Sequence, residues 1–310
     1  MQGITGETKL LGVIGYPVEH SLSPAMHNAA IARIASPGSN PYPALDYVYL
    51  PFPVKPQDLE TAVAGFGAIA VAGFNITIPH KQAIIPLLDE VSPVARAVGA
   101  VNTVWRTDRG WAGTNTDVEG FLAPLKNSLQ NDSKQQWQET IAVILGAGGA
   151  ARAAVVGCAQ LGCREIHVVG RNPEKLEAFA RSWENRSWDN GPLEIRPIAS
   201  SWEALPELIP QAGAIVNATP VGMYPNVERS PLSPTLTEQI KADTIVYDLI
   251  YTPNPTLFLR QAREAGVRTT IDGLEMLVQQ GAAALKIWLN RPVPVDVMRQ
   301  TLQKSLGISP

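Results

Sequence analysis

The sequence predicts an α/β fold in two domains, with the C-terminal helices returning to the first domain. Three observations carry that expectation. The first third alternates short apolar runs of strand character with helical ones, the pattern of a mainly parallel sheet covered by helices. After the polar run KNSLQNDSKQQWQET the pattern restarts at Ile141 with a strand, a glycine-rich turn and a helix. The last long apolar stretch, LEMLVQQGAAALKIWLN, reads as a helix with no following strand to pair with, so it is expected to fold back. A chain of 310 residues suits two domains of roughly 100–200 residues each. The expected division is 1–120, 121–273 and the returning helices 274–310.

The elements follow in order. LLGVIG is a strand. PAMHNAAIARIA is a helix, with Ser23 as N-cap and Pro24 at its first position, where a missing N–H costs nothing. LDYVYLPF is a strand, KPQDLETAVAGFGAI a helix and VAGFNITI a strand. HKQAIIPLLDE starts as a helix that Pro86 interrupts. AVNTVWRT and GWAGTNTD form a hairpin about DRG and add an antiparallel edge. In the second domain IAVIL is a strand, ARAAVVGCAQLG a helix, EIHVVG a strand and PEKLEAFARSW a helix. The polar loop ENRSWDNGP follows, and GAIVNATP and DTIVYDLIY are strands ending in polar turns.

Composition narrows the function classes. Lysine plus arginine number 25 against 28 aspartate plus glutamate, with no basic tract, which argues against nucleic acid or an anionic membrane as main partner. The only two cysteines, Cys158 and Cys163, lack CxxC spacing, so neither a disulfide framework nor a zinc site is expected. Cys158 reads as helix core. His20, His27 and His80 have no metal-ligand spacing, and no metal is expected. KLLGVIGYP is too short for a signal h-region, and AGFGAIAVAGF meets polar residues before it could span a bilayer. The expected setting is soluble and cytoplasmic.

ILGAGGAARAA carries Gly146-x-Gly148-x-x-Ala151 between a strand and a helix, with a second strand at the spacing of a βαβ unit. The candidate residues are Gly146, Ala147, Gly148, Gly149, Ala150 and Ala151. Such a turn lets a pyrophosphate approach the backbone at a helix N-terminus, and it makes the second domain Rossmann-type. The bland alternative is a tight turn with no ligand. At the end of the second strand an NAD site usually has an acid for the ribose hydroxyls. Here VVGRNPEK offers Arg171 and Lys175, which suit a 2′-phosphate and point to NADP(H). Surface cations are the default reading of both residues.

In the first domain, FNITIPHKQ asks for a function. In a strand, Asn75 and Thr77 share one face and Ile76 and Ile78 the other, and Lys81 follows at the end. Asp117, in TNTD, stands just before the chain leaves for the second domain. If strand ends converge on one edge, Lys81 and Asp117 meet there, and a lysine can protonate or stabilise a developing alkoxide. An ordinary salt bridge is the alternative. Ser21 and Ser23 at a helix start can bind a carboxylate or simply cap, and Asn102 is either a ligand or a turn asparagine.

Taken in order, GVIGYPVEHSLSPAMHNAA, FNITIPHKQ, AVNTV, GTNTD, LGAGGAARA, NATPVGM, DLIYTPNPT and DGLEMLVQQGA resemble the shikimate/quinate dehydrogenase family over nearly the whole chain. The loop near Trp183 to Gly191 and the linker near Gln130 fall outside the resemblance. It implies reversible NADPH-dependent reduction of 3-dehydroshikimate to shikimate, in aromatic amino acid biosynthesis. Ser21, Ser23 and Tyr251 would hold the substrate carboxylate, and Asn75, Thr77, Asn102 and Gln280 its hydroxyls. Lys81 and Asp117 would be the catalytic pair. Gly146 to Ala151, Arg171, Asn172 and Lys175 would hold NADP, with Thr219, Met223 and Gly273 lining its other side. A small-molecule substrate is the implied partner, and a homodimer stays open. Where family members often read NRT, this chain has GRNPEK, which rests phosphate recognition more heavily on Arg171.

Rival readings are a quinate or dual quinate/shikimate enzyme using NAD(P), a non-catalytic ligand sensor on the same scaffold, and an unrelated Rossmann enzyme such as a folate dehydrogenase. Intact SLS and Arg171 oppose the first, and the presence of both Lys81 and Asp117 opposes the second.

Overall fold

The structure, a computed structural model, describes residues 4–36, 46–128, 134–183, 187–188, 191–192 and 196–308. It divides into two compact units, 1–116 with 278–310 and 117–277. The division thus falls at Thr116/Asp117, ahead of the polar run, whose residues 129–133 lie outside the described ones.

The first unit contains β1 (Lys9–Gly15), α1 (Ser23–Ala35), β2 (Tyr47–Pro53), α2 (Leu59–Ala68), β3 (Gly73–Ile76), β4 (Glu90–Val91), α3 (Pro93–Val98), β5 (Thr103–Thr107) and β6 (Gly110–Thr114). The sheet order is β2-β1-β3-β5-β6-β4. β1 is parallel to β2 and β3, and β4 to β6, while β5 runs antiparallel to both β3 and β6. The hairpin is therefore interior, and the short β4 takes the edge that the sequence reading gave to it. Antiparallel pairing has a useful result. Asn75 lies opposite Thr103, and Thr103 opposite Thr114, so the open end of the hairpin joins the C-terminal ends of β1 and β3 on one sheet edge.

One face of this sheet is a core of Ile14, Phe74, Ile76, Val104 and their neighbours. Phe52, Phe66, Phe74 and Trp111 make ring contacts in series across it, with centroids 5.0–5.2 Å apart. The C-terminal helices pack on this unit, with α1 against the last helix (Val295–Leu306).

Three local expectations are corrected. Ser23 is the first residue of α1, not its cap; Leu22 precedes it, and no side chain caps the helix. The strand in VAGFNITI ends at Ile76, so Ile78 is 74% exposed and the apolar face stops one pair early. HKQAIIPLLDE opens with successive turns and a 3₁₀ stretch, Ile85–Leu87, because Pro79 and Pro86 bracket too few residues for an α-helix.

The second unit holds α4 (Asp117–Ser128), β7 (Ile141–Leu145), α5 (Gly149–Leu161), β8 (Glu165–Gly170), α6 (Pro173–Arg181), the short β9 (Ser187–Trp188) and β10 (Gly191–Pro192), β11 (Ile198–Ser201), α7 (Leu205–Leu208), β12 (Ala214–Asn217), α8 (Pro234–Thr237), β13 (Ile245–Asp248), α9 (Leu257–Glu264) and β14 (Thr269–Ile271). Much of the polar loop around β9 and β10 lies outside the described residues. α10 (Gly273–Leu289) begins in this unit and, from Val278, belongs to the first; α11 (Val295–Leu306) follows.

The sheet is parallel throughout, in the order β11-β8-β7-β12-β13-β14. Renumbered from its own first strand this is 3-2-1-4-5-6, the doubly wound dinucleotide-binding order, whose crevice opens between β7 and β12. Cys158 is helix core as expected, at 1% exposure.

Candidate active site

The first cluster lies at the shared sheet edge of the first unit. Asn75, at the end of β3, is 7% exposed. Its Nδ2 donates to the Asn102 carbonyl at 3.1 Å and to Thr103 Oγ1 at 3.0 Å, and its Oδ1 accepts from the Tyr49 hydroxyl at 2.8 Å. Asn102 Oδ1 accepts from the Thr116 amide at 2.8 Å and from Thr103 Oγ1 at 2.9 Å, while its Nδ2 donates to Thr116 Oγ1 at 2.9 Å and Gln280 Oε1 at 3.3 Å. Two amides, two threonine hydroxyls and a tyrosine thus form one buried network.

Gln280 reaches it because α10 lies close against the unit. A Cβ on Gly281 would fall 2.3 Å from Met26 of α1, and one on Gly73 would fall 2.2 Å from the Trp288 indole, whose Nε1 donates to the Val104 carbonyl at 2.9 Å. At Gly73, where the Val104 carbonyl oxygen would also lie 2.7 Å away, a side chain would force the indole and the strand apart; at Gly281 it would displace the Met26 methyl.

Ser21 and Ser23 follow β1 at the same edge. Ser21 Oγ accepts from the Ser23 amide at 3.3 Å, and the Ser23 hydroxyl neighbours the buried Tyr49 hydroxyl. Burial pushes the Tyr49 hydroxyl well above its ordinary pKa. Thr77, its amide bonded to the Ile14 carbonyl at 2.9 Å, and the half-buried Lys81, its carbonyl bonded to the Val101 amide at 2.7 Å, follow β3. Asp117 is the first residue of α4 in the second unit and is 5% exposed.

The second cluster surrounds the glycine turn. Gly146 has φ +106°, and a Cβ there would fall 3.0 Å from Thr219 Cγ2, so the turn after β7 presses on the turn after β12 at the switch point. A Cβ on Gly148 would meet nothing within 4 Å, and no side chain caps α5. Open space over uncapped backbone amides at a helix start fits a dinucleotide pyrophosphate. Ala151 is fully buried, as close packing of helix on strand requires. Arg171 and Lys175 are exposed, while Asn172 Oδ1 accepts from the Lys175 amide at 2.9 Å and caps α6. Gly273 is needed because a Cβ would fall 2.2 Å from the Leu249 carbonyl oxygen. Met223 is 46% exposed. Tyr251 is half-buried, and burial raises its pKa.

Sequence reasoning did not single out Tyr49, Thr103, Thr116 or Asp248. Asp248 is fully buried at the end of β13, in IVYD, and burial pushes its carboxyl up to about 6 against the pull of hydrogen bonds from Thr256, Ile250 and Asn217. A carboxylate closing an otherwise apolar strand was the available signal. Among the described residues no group of three His, Cys, Asp or Glu forms a metal site, and no helix is long and apolar enough to cross a membrane.

A doubly wound dinucleotide-binding unit, joined in one chain to an α/β unit with a buried amide-hydroxyl network at its sheet edge, defines the class of two-domain nucleotide-dependent dehydrogenases. The comparisons narrow this further. A family model for the shikimate dehydrogenase substrate binding domain matches residues 13–104, and one for the shikimate 5′-dehydrogenase C-terminal domain matches 273–303. The shikimate dehydrogenase (NADP⁺) of Trichormus variabilis is 58% identical over 306 residues, covering 98% of this chain and 99% of the relative. The Thermus thermophilus shikimate 5-dehydrogenase, solved with NADP(H) and shikimate, is 31% identical with a TM-score of 0.78, covering 96% of this chain and 100% of that one. Quinate dehydrogenase from Corynebacterium glutamicum, solved with NAD, is 30% identical with a TM-score of 0.81, covering 96% and 99%. The chain belongs to the shikimate dehydrogenase family.

Proposed function

We propose that this chain is an NADP-dependent oxidoreductase acting on a CH–OH group, which reversibly reduces 3-dehydroshikimate to shikimate in aromatic amino acid biosynthesis. The observation that carries the reading is the network at the sheet edge of the first unit. Gln280 and Asn102 stand 178 residues apart in sequence, yet their amides meet at 3.3 Å beside Asn75 and Thr116. That concentration of amides and hydroxyls suits a small polyol. The likeness to relatives that carry this activity supports it.

The residues divide the work. The unit of residues 1–116 and 278–310 supplies most of the substrate contacts, and the unit of 117–277 binds cofactor and adds Tyr251 to the substrate side. Ser21, Ser23 and Tyr251 take the carboxylate; Asn75, Thr77, Asn102 and Gln280 read the hydroxyls. The α5 N-terminus takes the pyrophosphate and Arg171 the 2′-phosphate, with Asn172, Lys175, Thr219, Met223 and Gly273 around the rest. NADPH, when bound, supplies the hydride. Lys81 delivers the proton to the carbonyl oxygen being reduced or stabilises its negative charge, and Asp117 orients the ammonium. In the reverse direction Lys81 takes the hydroxyl proton.

Steady-state kinetics with shikimate, quinate, NADP and NAD test this. The expected result is highest kcat/KM for shikimate with NADP. Preference for quinate with NAD would replace it with the quinate dehydrogenase reading, and binding without turnover would make the chain a sensor. A cytoplasmic location belongs to the same reading, and light scattering after size exclusion distinguishes a monomer from a homodimer.

A further inference from the structure

The second unit holds a fully buried carboxylate to which the mechanism above gives no role. Asp248 closes β13, and three donors meet its two oxygens. Oδ1 accepts from Asn217 Nδ2 at 2.9 Å and from the Ile250 amide at 3.1 Å; Oδ2 accepts from the Thr256 hydroxyl at 2.7 Å. Asp248 and Asn217 are 0% exposed and Thr256 is 1% exposed.

These bonds run in two directions. Ile250 and Thr256 bracket the loop that carries Tyr251, so the carboxylate ties down both ends of it. The same loop also meets Gly273, whose amide donates to the Ile250 carbonyl at 3.1 Å. Asn217 leads the other way. Its Nδ2 faces two acceptors, Asp248 Oδ1 and the Val221 carbonyl at 3.2 Å, so its Oδ1 must face the donors of Thr219. That oxygen accepts from the Thr219 amide at 3.1 Å and hydroxyl at 2.7 Å, and Thr219 Oγ1 accepts from the Val221 amide at 3.2 Å. The turn that presses on Gly146 is thus oriented through Asn217 by Asp248.

We infer that Asp248 is a positioning residue that sets, from one buried carboxylate, both the substrate-facing loop 249–256 and the cofactor-facing turn 217–223. The inference rests on the proposed roles of Tyr251 and Thr219. It gives each arm its own signature. Thr256 touches the substrate arm and, as N-cap, the Leu259 amide at the start of α9, but not the cofactor arm, whereas Asp248 touches both arms. An asparagine at 248 can keep all three contacts: its oxygen takes the place of Oδ1, and its NH₂ donates to Thr256 Oγ1 once that hydroxyl rotates.

The test measures KM for shikimate and for NADP in five variants, at a temperature where circular dichroism shows each to be folded. Tyr251→Phe is the benchmark, expected to raise the shikimate KM alone. Asp248→Ala is expected to raise both constants about tenfold or more, the effect of one lost charged hydrogen bond. Asp248→Asn is expected to bring both back toward wild type. Thr256→Val is expected to raise the shikimate KM and leave that for NADP unchanged, with Thr256→Ser restoring it. If Asp248→Ala fails to fold, the Thr256 pair decides the substrate arm, and a sixth variant, Asn217→Ala, expected to raise the NADP KM alone, decides the cofactor arm. A benchmark effect together with equal shifts of both constants in Thr256→Val, or none in it, overturns the inference alone. No effect of Tyr251→Phe overturns the role of Tyr251 and the inference with it.

Discussion

The Tyr49 hydroxyl donates to Asn75 Oδ1 across 2.8 Å, and this bond fixes the amide of Asn75 at the end of β3. The Asn75 Nδ2 faces an acceptor-only carbonyl on Asn102, so the oxygen must turn toward Tyr49. Tyr49→Phe keeps the ring stacked on His27, now 4.2 Å between centroids, and removes the hydroxyl that donates to Asn75 and also contacts Ser23. An unpaired buried acceptor costs about 1–3 kcal/mol. Urea denaturation is expected to show a loss of that size, with a raised shikimate KM and an unaltered NADP KM. Unchanged stability would mean that the amide finds another donor.

Lys81 and Asp117 are expected to act on turnover more than on binding. Lys81→Ala should lower kcat by about 10²–10⁴, the usual contribution of a positioned acid–base group. NADP affinity, followed by fluorescence titration of the folded variant, should stay near wild type. Near-normal turnover would remove Lys81 from the chemistry. Asp117→Asn should also slow kcat; a rise in KM alone would make Asp117 a binding residue.

The parts of the molecule readable from sequence are those set by local pattern. IAVIL followed by GAGGAARAA announces a strand, a turn and a helix because apolar periodicity and glycine act within a few residues. Arg171 was visible because its place is counted from that turn. Contacts across sequence were not legible. Nothing local says that Tyr49 meets Asn75, or that Asp248 meets Asn217 and Thr256, since β-pairing and loop closure bring them together. Proline misled in the other direction: alternation in NITIP suggested a longer strand, but Pro79 cannot continue the ladder and Ile78 turns to solvent.

Arg171 is expected to carry much of the preference for NADP over NAD. No acid follows EIHVVG, and the exposed guanidinium comes next, so a 2′-phosphate is not repelled and can form charge-assisted bonds. Such bonds are worth about 1.5–3 kcal/mol, or on the order of 10- to 100-fold in affinity. Arg171→Ala should raise the NADP KM by that factor and change that for NAD little. An equal loss with both cofactors would assign Arg171 to the common adenosine or to the fold.

His27 and Asp248 should give opposite pH dependences of stability within one window. His27 is fully buried with neither ring nitrogen bonded, and burial lowers its pKa from 6.5 to about 3. The unfolded chain binds a proton near pH 6.5 that the folded chain refuses until about pH 3, so this contribution is complete above 6.5 and is lost as pH falls. Asp248 runs the other way. Burial, helped by the nearby Asp272 carboxylate, raises its pKa from 3.8 to about 6, so the folded chain keeps a proton that the unfolded chain has released. Its contribution is complete below 3.8 and is lost as pH rises to about 6. Between these limits the two slopes oppose each other, each about 1.36 kcal/mol per pH unit for one proton. Urea denaturation of wild type, His27→Phe and Asp248→Asn through that window separates them. Relative to wild type, His27→Phe should lose stability as pH rises, because only the Asp248 slope remains. Asp248→Asn should gain stability as pH rises, because only the His27 slope remains. A His27→Phe curve parallel to wild type would mean that the folded chain protonates His27 as readily as the unfolded one.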